Sequence, residues 1–125
     1  MMLSLRKLEN TGIAAVDISG FGGTHWGRIE GGRSKSSLSE VSNTFKDWGI
    51  STVDSLDAAV NLKSDYEVWA SGGVRSGLDA AKLLAMGANI VGMAKPFLQA
   101  ALKGDEELVE AMDRFEYELK TALFC

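Results

Sequence analysis

Tyr66-Glu67-Val68-Trp69-Ala70-Ser71-Gly72-Gly73-Val74-Arg75-Ser76-Gly77 decides how this chain folds. Its first five residues read as a strand rich in aromatic and β-branched side chains. Ser71 to Gly73 then break regular structure. Ser76 and Asp79 follow at the spacing of a helix N-terminal cap, in which a hydroxyl satisfies an orphan backbone amide. Leu78, Ala81, Leu84 and Ala85 form the apolar face of the helix so begun, and Gly87 ends it.

The same alternation extends to both sides. Upstream, Leu3 to Glu9 suit a short helix, Asn10-Thr11-Gly12 stops it, and Ile13-Ala14-Ala15-Val16-Asp17-Ile18 is an apolar strand followed by the glycine-rich turn Gly20-Phe21-Gly22-Gly23. Gly31 to Ser36 reads as a mobile polar excursion. Ser37 and Glu40 have capping-box spacing for a helix ending near Trp48-Gly49, and Asp54 is placed to cap another through about Leu62. Downstream, Asn89 to Met93 is a third strand, Pro96 breaks it, and a last helix covers roughly residues 105–123. Apolar strands separated by helices indicate a parallel sheet covered by helices, hence an α/β fold in one domain over residues 1–125.

Composition narrows the function classes. With 125 residues, 46% of them hydrophobic, and one proline, the chain can bury a modest core. A net charge of −4 argues against a nucleic-acid surface, which needs excess Lys and Arg. No apolar run reaches the roughly 20 residues needed to span a membrane, and the first residues lack a secretory pattern, so the expected location is cytoplasmic. The single cysteine, Cys125, permits no intrachain disulfide and no cysteine metal cluster.

Chemistry concentrates at strand ends. Glycines after a strand let backbone N–H groups approach an anion, so Ser71 to Ser76 is a candidate phosphate site, although a Gly-Gly turn also serves as a plain connector. A second loop, Gly92-Met93-Ala94-Lys95-Pro96, follows the next strand, and Phe97 to Ala101 suits a short helix behind Pro96. In (β/α)8 barrels the loops after the last two strands commonly form a phosphate site of this kind. Backbone amides are the expected ligands, ahead of the Arg75 and Lys95 side chains. Thr24 offers a hydroxyl on the same face. His25 is the only histidine, and the sequence supplies it no orienting carboxylate or nucleophile, so no catalytic residue is assigned. Trp69 reads as packing. Asp17 is either a buried acid or an inert hydrogen-bonded one, and Glu30 alone makes no magnesium site, so no metal ligand is assigned.

These motifs resemble those of type 2 isopentenyl diphosphate isomerases, which are FMN-dependent (β/α)8 TIM barrels. Val16-Asp17-Ile18-Ser19-Gly20-Phe21-Gly22-Gly23-Thr24-His25-Trp26 is similar to the strand-six signature of that family. Ala70 to Lys82 resembles its strand-seven signature, and Gly87-Ala88 with Gly92 to Leu98 its strand-eight signature. Gly-Gly-Val-Arg also occurs in related FMN barrels such as 2-hydroxy acid oxidases; Gly-Gly-Thr-His-Trp is the discriminating element. The resemblance implies a partial barrel, strands six to eight with their helices.

By that resemblance Ser19 and Thr24 contact FMN, Gly72, Gly73, Val74 and Arg75 surround its phosphate, and Ala94 and Lys95 join them. The family interconverts isopentenyl and dimethylallyl diphosphate with reduced FMN, Mg2+ and NADPH. The groups it uses for substrate diphosphate and magnesium have no counterpart in this sequence, and Ser51 stands where its pattern has a proline. A chain of three barrel strands is expected to be inactive alone, to be completed by the missing strands or to form a homo-oligomer. The alternatives are a non-catalytic flavin- or phosphate-binding module and a fragment of a 2-hydroxy acid FMN oxidoreductase.

Overall fold

The structure is a computed structural model and describes residues 2–33 and 38–125. In chain order its elements are α1 (Met2–Arg6), β1 (Ala15–Asp17), α2 (Trp26–Arg33), α3 (Leu38–Thr44), α4 (Thr52–Val60), β2 (Glu67–Ala70), α5 (Gly77–Ala85), β3 (Ile90–Val91), α6 (Lys95–Ala101) and α7 (Asp105–Phe124). The three strands form one parallel sheet in the order β1-β2-β3. The α/β expectation therefore holds.

Register sorts the sheet into two faces. Val16 pairs with Val68 and Ala70 with Val91, and this face turns toward the core formed by Leu5, Leu56, Ala59, Tyr66, Val74, Leu83 and Ala88. Leu56 is fully buried there, a burial that stabilises by about 1.5–3 kcal/mol. The Tyr66 hydroxyl donates to the Leu5 carbonyl at 3.2 Å, which ties α1 to the start of β2. On the opposite face Asp17, Trp69 and Ile90 lie in register, with Trp69 38% and Ile90 47% exposed. Trp69, expected to pack, lies outside the core and rests its indole N–H on the Glu67 carboxylate at 2.9 Å.

Four local expectations need correction. Trp26–Arg33 is helical, so Gly31 to Arg33 belong to α2 and not to a loop; the rest of the expected excursion and the Ser37 cap lie outside the described residues. The helix expected to reach Trp48-Gly49 stops at Thr44. Ser51, not Asp54, caps α4: its hydroxyl accepts from the Asp54 amide at 3.1 Å and donates to the Asp54 carboxylate. On α5 the buried positions are Gly77, Ala80, Ala81 and Leu83, while Leu78 is exposed and Ala85 lies outside the core. The Ser76 cap, by contrast, forms as expected, its hydroxyl accepting from Asp79 at 3.1 Å.

Candidate functional site at the strand ends

The loops after β1, β2 and β3 meet at the C-terminal edge of the sheet. Parallel strands bring this about, because each loop leaves from the same end. Gly20 donates to the Ser71 carbonyl at 3.1 Å, extending the β1-β2 pairing into the loops, and Gly92 donates to Ala70 at 2.8 Å, doing the same for β2-β3.

Glycine is required where these loops touch. Gly72 and Gly73 have φ of 101° and 82°, a region that side chains rarely adopt. A Cβ at Gly73 would lie 2.6 Å from the Gly22 carbonyl oxygen, and one at Gly23 would lie 2.7 Å from the Gly73 nitrogen. One at Gly72 would run into the Gly20 carbonyl. The loops after β1 and β2 are therefore packed backbone to backbone.

That packing leaves amides free. Among the described residues, the N–H groups of Gly72, Gly73 and Val74 donate to no protein acceptor. The first turn of α5 is differently placed. Its Gly77 amide donates to the Glu118 carboxylate of α7 at 2.8 Å, Asp79 to Ser76, and Arg75 to the Asp79 carboxylate at 3.1 Å. The chain's own groups thus take up the Arg75, Gly77 and Asp79 amides, while those of Gly72, Gly73 and Val74 in the preceding loop, and of Ser76 and Leu78 at the start of α5, meet no acceptor among the described residues. Successive unpaired amides of this sort make an anion-binding concavity.

A polar network backs the cradle. The Ser71 hydroxyl donates to the two Asp17 carboxylate oxygens at 2.8 and 2.9 Å, the Ser19 amide donates to the same carboxylate at 2.9 Å, and the two serine hydroxyls lie 3.3 Å apart. This holds Ser19 at φ 39°, an uncommon conformation for a non-glycine residue. Asp17 is the hydrogen-bonded acid of the two alternatives the sequence left open.

The expected site residues divide accordingly. Ser19, Gly72, Gly73 and Val74 come together. Arg75 turns its guanidinium toward the Gly22 carbonyl at 3.5 Å, a brace between loops. Thr24 and Lys95 are exposed and their side chains make no hydrogen bond among the described residues, and Ala94 stands at the N-cap position of α6 without a side-chain cap, the helix's span including the short helix expected behind Pro96. His25 precedes α2 with both ring nitrogens engaged: Nδ1 accepts from the Arg28 amide at 3.1 Å, which leaves Nε2 to donate to the Trp48 carbonyl at 3.2 Å. It serves as a helix cap. Sequence reasoning missed Thr52, whose hydroxyl donates to the Gly72 carbonyl at 2.6 Å; nothing local marks it, since its partner is 20 residues away.

Comparison with known proteins supplies the family. The family model for FMN-dependent dehydrogenases matches residues 5–125. The chain is 53% identical over 124 residues to a Legionella pneumophila protein named isopentenyl-diphosphate delta-isomerase, covering 98% of this chain and 36% of that one. It is 54% identical over 124 residues to the Bdellovibrio bacteriovorus protein of the same name, with the same coverage. To the Pyrococcus furiosus protein of that name it is 45% identical over 120 residues, covering 94% of this chain and 30% of that one. The chain thus spans about a third of the length of the curated relatives it matches.

Proposed function

Because the chain belongs to the FMN-dependent dehydrogenase family, we propose that it supplies the flavin-phosphate segment of an isopentenyl-diphosphate isomerase. The observation that carries this is the row of three unpartnered amides at Gly72, Gly73 and Val74, set where Gly22 and Gly23 of one loop pack on Gly72 and Gly73 of the other with no room for a Cβ at Gly23, Gly72 or Gly73. An FMN phosphate fits it: backbone donors meet phosphate oxygens, and the missing Cβ atoms leave room for close approach. In this reading Gly72, Gly73 and Val74 hold the phosphate and Arg75 adds charge beside it. Ser19 and Thr24 reach the flavin from the β1 loop, and Ala94 and Lys95 close the site from the β3 loop.

The chain's own part in the reaction is to bind and orient. Bound reduced FMN would supply the proton-transfer chemistry. Isopentenyl and dimethylallyl diphosphate, Mg2+ and NADPH enter with the rest of the enzyme; among the described residues no three His, Cys, Asp or Glu side chains converge to hold a metal.

The three strands correspond in this reading to strands six to eight of a (β/α)8 barrel. The exposed face of Asp17, Trp69 and Ile90 is then barrel interior, and it supports completion by the missing strands, or by a second copy, over solitary function. No helix of the described residues is long and apolar enough to cross a membrane. A lone cysteine agrees with a cytoplasmic setting.

Titration of FMN into the purified chain, followed by flavin fluorescence, tests the proposal. Saturable binding is expected, and Gly73→Ala should weaken it at least tenfold, since its Cβ meets Gly22 at a φ only glycine tolerates. Adding the complementary two thirds of a relative should then give isomerisation. Unaltered FMN binding by Gly73→Ala would remove the cradle from consideration.

A further inference from the structure

Thr52 opens α4, and at 7% exposure it is one of the two buried polar residues of the described chain. Its hydroxyl donates to the Gly72 carbonyl at 2.6 Å, with the Ser71 carbonyl 3.4 Å away. The Gly72–Gly73 peptide is trans, as are all the described peptide bonds. In a planar trans peptide the C=O of one residue and the N–H of the next point to opposite sides. Drawing the Gly72 oxygen inward onto Thr52 therefore turns the Gly73 N–H outward, away from α4. Glycine on both sides of this peptide makes its rotation easy, so the orientation needs a tether.

The surroundings point the same way. A Cβ at Gly20 would run into the Thr52 backbone, and the Thr52 amide donates to the Phe21 carbonyl at 3.3 Å, so the β1 loop is seated on the same residue. Gly23, in that loop, lies against the Gly73 nitrogen, where any Cβ would come within 2.7 Å, so only glycine leaves that amide unobstructed by a side chain.

We infer that Thr52 is a positioning residue for the phosphate subsite: it fixes the Gly72–Gly73 peptide so that the Gly73 N–H faces the ligand phosphate, and thereby sets the preference for a phosphorylated flavin over an unphosphorylated one. This rests on the flavin-phosphate reading above. Thr52 itself does not touch the ligand. It acts through the one peptide whose carbonyl it holds.

The test compares FMN with riboflavin, which share the ring and differ in the phosphate. Both are titrated into the wild-type chain, Thr52→Val, which keeps the shape and loses the hydroxyl, and Thr52→Ser, which keeps the hydroxyl. The expected result is a wild-type preference for FMN, a loss of tenfold or more in FMN affinity in Thr52→Val with riboflavin affinity unchanged, and recovery in Thr52→Ser. Equal weakening of both flavins would mean that the hydroxyl only braces the fold, and unchanged FMN affinity would mean that the peptide keeps its orientation without it; either overturns the inference. A wild-type chain that binds FMN and riboflavin alike overturns the phosphate reading itself. Should Thr52→Val fail to fold, the wild-type Gly73 amide resonance decides: it must shift on adding FMN and not on adding riboflavin, and an unmoved resonance overturns the inference.

Discussion

Asp17 shows how a single carboxylate can fix the loops after two strands at once. It receives the Ser71 hydroxyl and the Ser19 amide, and Ser19 takes a left-handed conformation that costs energy unless something holds it. Asp17→Ala removes the acceptor for both donors and should lower stability by about 1–3 kcal/mol. Asp17→Asn keeps one acceptor oxygen and should lose less. Urea unfolding of the two variants measures the difference, and equal stabilities would mean that the serines find other partners. His25 belongs to the same scale of description. The only histidine invites a base assignment from sequence, yet its two nitrogens are already committed to the Arg28 amide and the Trp48 carbonyl.

At the scale of elements, α4 offers the sharpest comparison. Ser51 has φ −59° and ψ 156°, angles a proline adopts without strain, and its amide donates to nothing among the described residues. Ser51→Ala loses the cap and should cost about 0.5–2 kcal/mol. Ser51→Pro loses the same cap but restricts the unfolded chain, a gain of about 0.4–1 kcal/mol, so it should be the milder change in thermal unfolding. The reverse order would show that the amide is needed after all. Much of this architecture is legible in the sequence: the β2 turn, the Ser76 cap and the short helix at Pro96 all rest on local chemistry that short-range signals report. Helix α2 is not, because Gly27, Gly31 and Gly32 read as breakers. The structure shows another use for one of them. Gly31 is buried against Ser42 of α3, where any Cβ would collide, and α2 is capped by His25, so helix-to-helix approach outweighs propensity. Asp54 misleads for a related reason: Ser51-x-x-Asp54 is itself a capping pattern, and the helix starts one turn earlier than the acid suggests. In the site, the glycines are plain from their clustering, whereas Thr52 and Asp17 act across distances of 20 and 54 residues that no local pattern encodes.

For the whole molecule, the sheet is asymmetric in the distance between its partners along the chain. Trp69 pairs with Ile90, a short βαβ closure, whereas Ala15 pairs with Glu67 across roughly fifty residues. Contacts that close shorter loops form earlier, because less chain entropy is given up before they are made. The unit β2-α5-β3, with Val68 and Asn89 bonded to each other through both backbone and side chain, is therefore expected to act as the folding nucleus. In pulse-labelled hydrogen exchange during refolding, the Val68 and Asn89 amides should gain protection before that of Gly20, and simultaneous protection would count against this order. Since β1 arrives last and brings the Gly20 to Gly23 loop with it, the packing of that loop on Gly72 and Gly73 would be the final piece of the chain to mature. A half-folded molecule would hold β2 against β3 before the phosphate cradle proposed above had its second wall.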